Sequence, residues 1–177
     1  RTSGYMLYKI LEANNGLPDR AKVIFTNTGR EMEQTLDFVQ ECSHRWNVNI
    51  VWLEYDIVNG KVTYKEVNHE TASRNGEPFE KLIESKKILP NVLIRFCTVE
   101  LKIKTAKRYL RNPLEVGWRS WKNAVGIRYD EQDRLARPQK KDVFTRWFPL
   151  GENKVTAQMI DDFWAKKNFK LNCDSIA

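Results

Sequence analysis

No other stretch limits the fold as tightly as "AKVIFTNTG". A short, unbroken apolar run that ends in polar residues and a glycine has the pattern of a parallel strand, buried on both faces and opening into a functional loop. A helical pattern follows from about Met32 to Trp46, with Leu36, Phe38, Val39, Cys42 and Trp46 on its buried side, and "NIVWLEY" supplies a second strand. Ahead of both, Ser3 is placed to cap a helix from about Gly4 to Ala13, whose core stripe is Met6, Leu7, Ile10 and Leu11. Asn14, Asn15, Gly16 and Pro18 end that helix. Helix, strand, helix, strand with short connections is the order of an open α/β sheet with crossover helices.

Further along, Asn59-Gly60 between "DIV" and "KVTYKEV" predicts a hairpin or an extended excursion. Asn75-Gly76-Glu77-Pro78 reads as a loop on the ligand side of the sheet, followed by a short helix from Phe79 to Lys87. Thr98 is positioned to cap a helix carrying Leu101, Ile103 and Tyr109, "KNAVGIRYDE" predicts a strand reaching Gly126, and Thr156 caps a last helix. The expected architecture is a single α/β domain over residues 1–177, with a mainly parallel open sheet flanked by helices and a C-terminal helical extension over 140–177.

A chain of 177 residues with 41% hydrophobic content can bury a real core, and no apolar run approaches the length of a membrane span. The expected protein is soluble and does not engage a membrane. A net charge of +7 points to an anionic partner, either a nucleotide, a sulfate or phosphate ester, or the backbone of DNA or RNA. A solvated, lysine-rich surface accounts for the same charge equally well. The three cysteines, Cys42, Cys97 and Cys173, are odd in number and widely spaced, which favours reduced thiols in a cytoplasmic protein over a disulfide framework.

Ligands of open α/β sheets sit at the carboxyl ends of the strands. Four segments should gather there: "RTSG", "NTGREMEQT", "RFCTVELK" and "GIRYDEQDR". Thr2, Ser3, Thr28 and Gly29 offer hydroxyls and close backbone approach, while Arg1, Arg95, Lys102, Arg128 and Arg134 add positive charge. His44 and His69 show no metal-ligand spacing and read as surface residues, and Cys42 reads as a small buried hydrophobe.

Taken in order, these segments resemble the PP-loop superfamily of adenine nucleotide alpha hydrolases, and within it the phosphoadenosine phosphosulfate reductase family in its short phage and prophage forms. Arg1, Thr2 and Ser3 match the end of the family's Ser-Gly-Gly-x-Asp/Thr-Ser loop, so the resemblance implies that the chain is truncated within that motif. "FTNTGREMEQT" is similar to the family's Asp-Thr-Gly and Glu-Thr segment, with Asn27 in place of Asp and Gln34 in place of Glu. "RFCTVELKIK" resembles a Cys-x-x-x-x-Lys segment and places Cys97 and Lys102. "VGIRYDEQDR" resembles Gly-x-Arg-x-x-Glu-x-x-Arg and places Gly126, Arg128, Glu131 and Arg134.

The resemblance implies a bound adenine nucleotide, either ATP or phosphoadenosine phosphosulfate. Thr2 and Ser3 would cradle phosphate, Thr28 and Gly29 would contact the nucleoside region, Lys102, Arg128 and Arg134 would hold the distal anion, and Arg1, Gly4, Thr26, Asn27, Gly126 and Glu131 would complete the nucleotide-binding set. It implies reduction of the sulfonucleotide to sulfite and adenosine bisphosphate by a homodimer served by a thioredoxin-like reductant, with Cys173 as the catalytic thiol. Relatives' Asn-Cys-x-x-Cys ending implies an iron–sulfur cluster or zinc held with the Cys97 position, yet here only Cys97 and Cys173 of that ligand set are present, since Ile176 stands at the other place. Two readings stay open beside the reductase. One is a magnesium-dependent ATP pyrophosphatase that adenylylates its substrate in nucleic acid sulfur modification. The other is a non-catalytic nucleic-acid-binding module that uses Trp118, Trp121 and Trp147 among basic residues.

Overall fold

A computed structural model describes residues 1–89, 96–139, 141–169 and 171. The chain divides into two compact units, one formed by Arg1–Ala21 with Arg119–Ala177 and the other by Lys22–Trp118.

In the Lys22–Trp118 unit, β1 (Val23–Asn27) runs parallel to β2 (Ile50–Val58), in register from Val23 opposite Ile50 to Asn27 opposite Glu54. Helix α2 (Glu33–Arg45) makes the crossover and buries Leu36, Phe38 and Cys42, while Val39 and Trp46 are half-buried. Strand β3 (Lys61–Val67) returns antiparallel to β2 through Asn59 and Gly60, whose φ angles of 52° and 72° suit the tight turn that Asn-Gly favours. Helix α3 (Glu77–Lys86) buries Leu82 with Tyr55 of β2 and Leu101, and Ile57, Val62, Phe79, Phe96 and Cys97 pack around them. Leu101 lies on a π-helical segment, Thr98–Lys104, that continues into α4 (Thr105–Arg111).

In the other unit, α1 (Thr2–Asn14) packs with α7 (Ala157–Ala165) through aromatic side chains. Tyr5 meets the Phe163 ring edge-on at 5.0 Å, Tyr8 lies 4.9 Å from the same ring, and Trp164 is fully buried with its indole N–H donating to the Arg1 carbonyl at 3.2 Å. Strands β4 (Trp121–Ala124) and β5 (Phe144–Trp147) form a separate parallel pair, and the short helices α5 (Gln132–Leu135) and α6 (Pro149–Glu152) flank β5 in sequence.

The fold is therefore mixed α/β, with helices and small sheets. Among the described residues two strand pairs are parallel and one is antiparallel, and they are divided between a three-stranded and a two-stranded sheet. The Asn59-Gly60 turn accounts for the antiparallel pair, because it returns the chain at once beside β2 and leaves no room for a crossover. The 140–177 segment contributes β5 as well as helices.

Three expected caps also differ. Helix α1 begins at Thr2 with Arg1 at its N-cap, so the exposed Ser3 is inside the first turn and caps nothing. Thr98 opens the π-helical segment without a side-chain cap bond. Thr156 stands at the N-cap of α7, but the first helical amide, that of Ala157, donates instead to Asp130 at 3.2 Å. The core stripe of α1 is turned as well: Tyr5, Leu7 and Leu11 are buried, while Met6 and Ile10 are half-buried.

Candidate functional site

Strand β1 ends in a polar residue that the interior accepts only because it is fully bonded. Asn27 has no exposed surface. Its Nδ2 donates to Glu54 Oε1 at 2.7 Å and to the Ser73 carbonyl at 2.8 Å, and its Oδ1 accepts from the Gly29 amide at 3.1 Å. Glu54, 3% exposed at the matching position of β2, also accepts from the Ser73 amide at 2.6 Å and from the Ser73 hydroxyl at 2.8 Å. A buried carboxylate without such partners would cost several kcal/mol, roughly. Here every oxygen is engaged, and the carboxyl end of β1 and the middle of β2 are tied to the segment around Ser73.

The loop after β1 is shaped by Gly29. Its φ of 73° lies in the left-handed region, and a Cβ placed there would stand 2.8 Å from Pro78 Cδ and 3.0 Å from Gly76 Cα. Only glycine lets these two turns approach so closely. The Thr28 hydroxyl donates to Glu31 Oε1 at 3.2 Å, and Lys102 Nζ reaches the same oxygen at 3.0 Å from the π-helical segment. Thr26 is half-buried within β1. Within this unit the structure therefore brings together Asn27, Thr28, Gly29 and Lys102.

Residues 68–78 make the other wall of the loop and are clasped to α2. The Arg74 guanidinium donates from Nε and Nη2 to both oxygens of Glu33, at 2.8 Å each, and His69 Nε2 lies 2.8 Å from Asp37 Oδ1. Glu33, Asp37 and His69 have the side-chain types of a metal site, and their ligand atoms lie within 4.8 Å of one another. Both Glu33 oxygens are already taken by Arg74, so the trio reads as an ion-paired clasp. Beyond it a cleft of about 520 Å³ is lined by Asp56, Lys65, Asn75, Glu77 and Lys81 among others, and α3 begins at Glu77, two residues ahead of the expected helix start, so Glu77 and Pro78 are helical. Burial raises the Asp56 carboxyl, but the Lys81 ammonium at 2.6 Å and the Ile57 amide outweigh it and hold that group below its ordinary value.

The first-turn residues of α1 and the 126–134 segment belong to the other unit. A Cβ at Gly126 would lie 3.5 Å from Ser3 Oγ and 3.6 Å from the Ser3 main-chain nitrogen, so the end of the β4 segment rests against the first turn of α1 where Thr2, Ser3 and Gly4 sit. Arg1 pairs with Asp161 at 2.9 Å and is drawn toward α7. Arg128 Nε donates to Asp130 at 2.9 Å, while Glu131 accepts from the Arg128 amide at 3.0 Å and pairs with Arg134. Hydrogen bonding from that amide, against a burial penalty and with help from Arg134, holds the Glu131 carboxyl below its ordinary value. Arg1, Arg128 and Arg134, expected to meet an anion, are thus already neutralised by acidic neighbours.

Cys42 is buried, and burial pushes its thiol up to about 12, as befits a small hydrophobe. Cys97 is half-buried beside the Tyr55–Leu82–Leu101 cluster. Cys173, the expected catalytic thiol and second ligand beside Cys97, and Arg95 lie outside the described residues. Of the tryptophans considered for base stacking, Trp121 stacks on Phe144 at 5.7 Å and Trp147 donates to Glu152 at 2.9 Å, so both have internal partners. His69 is half-buried at the surface and bonded to the exposed Asp37.

Sequence reasoning passed over Glu54, Ser73, Glu31 and Arg74. One signal was present: Glu54 is the only charged residue inside the apolar "NIVWLEY" run, and a charge at a doubly buried strand position needs a specific partner. The partner itself could not be read, because Ser73 lies 19 residues on in an irregular segment.

A protein of Escherichia phage lambda, named uncharacterized nin region protein ORF290, is 29% identical over 142 residues, covering 76% of this chain and 47% of its own length. The chain spans about half the length of that relative. No family model matches the chain, and no solved structure does.

Proposed function

We propose that the chain binds an adenine nucleotide or sulfonucleotide at the carboxyl end of β1, as the nucleotide-binding part of a phage-encoded enzyme resembling the phosphoadenosine phosphosulfate reductases. The supporting observation is the meeting of Thr28 and Lys102 on one oxygen of Glu31, at 3.2 and 3.0 Å, although Lys102 lies 71 residues beyond that glutamate. A lysine and a hydroxyl held on one carboxylate are preplaced for an incoming anion, which takes both donors over from Glu31. Gly126 against Ser3 joins the other two motif segments in the same pairwise way. An adenine nucleotide alpha hydrolase-like fold is part of this proposal.

In the reductase form of the reaction, a thiolate attacks the sulfur of phosphoadenosine phosphosulfate and expels adenosine 3′,5′-bisphosphate. A thioredoxin-like dithiol then supplies two electrons, leaves as its disulfide and frees sulfite. Cys173 is the candidate thiolate. Calorimetric titration with adenosine 3′,5′-bisphosphate, phosphoadenosine phosphosulfate and ATP with magnesium tests the reading. Preference for the first two supports it, and Thr28→Ala and Lys102→Ala should each weaken binding about tenfold or more. Tight magnesium–ATP binding with pyrophosphate release would replace it with adenylylating chemistry, and no binding by any of the three would overturn it.

A further inference from the structure

We propose that Asn27 is a positioning residue that fixes the ligand loop through a buried lock with Glu54 and Ser73, and that the lock requires an amide where the resembled pattern has a carboxylate. The inference rests on the nucleotide reading of that loop. Asn27 is fully buried, so it acts on a ligand only through the groups it holds.

The bonding leaves one orientation for the side chain. Nδ2 faces two acceptors, Glu54 Oε1 and the Ser73 carbonyl, and Oδ1 faces one donor, the Gly29 amide. A flipped amide would set its oxygen against both acceptors and its NH2 against the amide hydrogen. An aspartate keeps the contact to Gly29 but has no donor for the other two. The Gly29 amide is also spent inside the lock, so it is not an anion donor. What the loop offers a ligand is the Thr28 hydroxyl, with Lys102 beside it.

Glu54 is the second half of the device. It gathers Asn27, the Ser73 amide and the Ser73 hydroxyl on two oxygens, so the β1 loop and the 68–78 segment are set together. Disturbing either end should loosen both.

The test uses amide hydrogen exchange at Gly29 and Ser73 on the whole chain, alongside calorimetry with adenosine 3′,5′-bisphosphate. Asn27→Asp should speed exchange at both amides about tenfold or more, because it opposes a second carboxylate to Glu54 and the Ser73 carbonyl. Adding Glu54→Gln to that variant returns a donor toward the introduced carboxylate and should recover part of the Gly29 protection. A residue that merely fills space would show no such rescue. Where Asn27→Asp does not fold, Asn27→Ala removes all three side-chain bonds without adding charge and should raise exchange at the two amides together. Bisphosphate affinity should fall and recover in the same order as Gly29 protection. Unchanged exchange in the single variants, or a further loss in Asn27→Asp/Glu54→Gln, would overturn the lock. If the wild-type chain binds no bisphosphate while the exchange pattern holds, the nucleotide reading falls and the lock stands.

Discussion

Two polar clusters, one in each unit, are built in opposite ways. In the Lys22–Trp118 unit, Asn27 and Glu54 are 0% and 3% exposed, and their contacts are short hydrogen bonds to groups of fixed position. In the other, Arg128, Asp130, Glu131 and Arg134 form charge pairs at the surface, with the Arg134 side chain 53% exposed. A buried polar network tolerates few geometries, since each lost partner leaves a desolvated group. An exposed ion cluster tolerates many, because water and salt replace any partner. The first arrangement suits a loop that must be shaped before a ligand arrives, and the second suits side chains that can exchange an acidic neighbour for an anion.

The contrast can be broken most forcefully at the cores beneath each cluster. Leu82→Ala, at a side chain with no exposure, should cost about 2–5 kcal/mol and appear as lost amide protection in β2 and α3. Trp164→Ala should cost a similar roughly 3–5 kcal/mol, read by the exchange of α1 and α7 amides.

The motif glycines provide the next test. Gly29→Ala meets both a positive φ and the Pro78 and Gly76 contacts, and should destabilise by roughly 1–3 kcal/mol in thermal melting. Gly126→Ala meets Ser3 at ordinary van der Waals distance and should change stability by less than about 0.5 kcal/mol. Equal effects at the two glycines would erase the distinction between a shaped loop and an adaptable one.

The smallest effects belong to the ion cluster. Glu131→Gln should cost less than about 1 kcal/mol and lose most of that in high salt. The Glu131 carboxyl is held below its ordinary 4.5 by the Arg128 amide, with Arg134 acting against the burial penalty. Its contribution is therefore complete above pH 4.5 and is lost as pH falls through the lowered value. Melting curves of the wild type and Glu131→Gln should accordingly converge on acidification. Cys42, whose thiol is pushed up to about 12, should resist alkylation in the folded protein at neutral pH and react on unfolding.

Much of the local structure was legible because it follows from neighbours in sequence. The runs "VIFTN" and "IVWLEY" form strands, the helix between them buries Leu36, Phe38 and Cys42, and Asn59-Gly60 turns a hairpin, each as periodicity or backbone preference dictates. Caps were less legible. A serine or threonine near a helix start can bond a free amide, yet Asp130, 27 residues away, reaches the Ala157 amide and Thr156 does not bond it.

By itself, the sequence determined the two parallel strand candidates, the break at Asn59-Gly60, and the loop at Asn27–Gly29 as a place where polar residues end an apolar strand. Tertiary structure alone decided that Glu54 meets Asn27 and Ser73, that Lys102 shares an oxygen of Glu31 with Thr28, and that β4 and β5 pair apart from the first three strands. Periodicity records which face of an element is buried, because burial repeats with the turn of the chain. Nothing in it records which distant polar group arrives to satisfy a buried one, since that is fixed only when the strands, turns and helices close on one another.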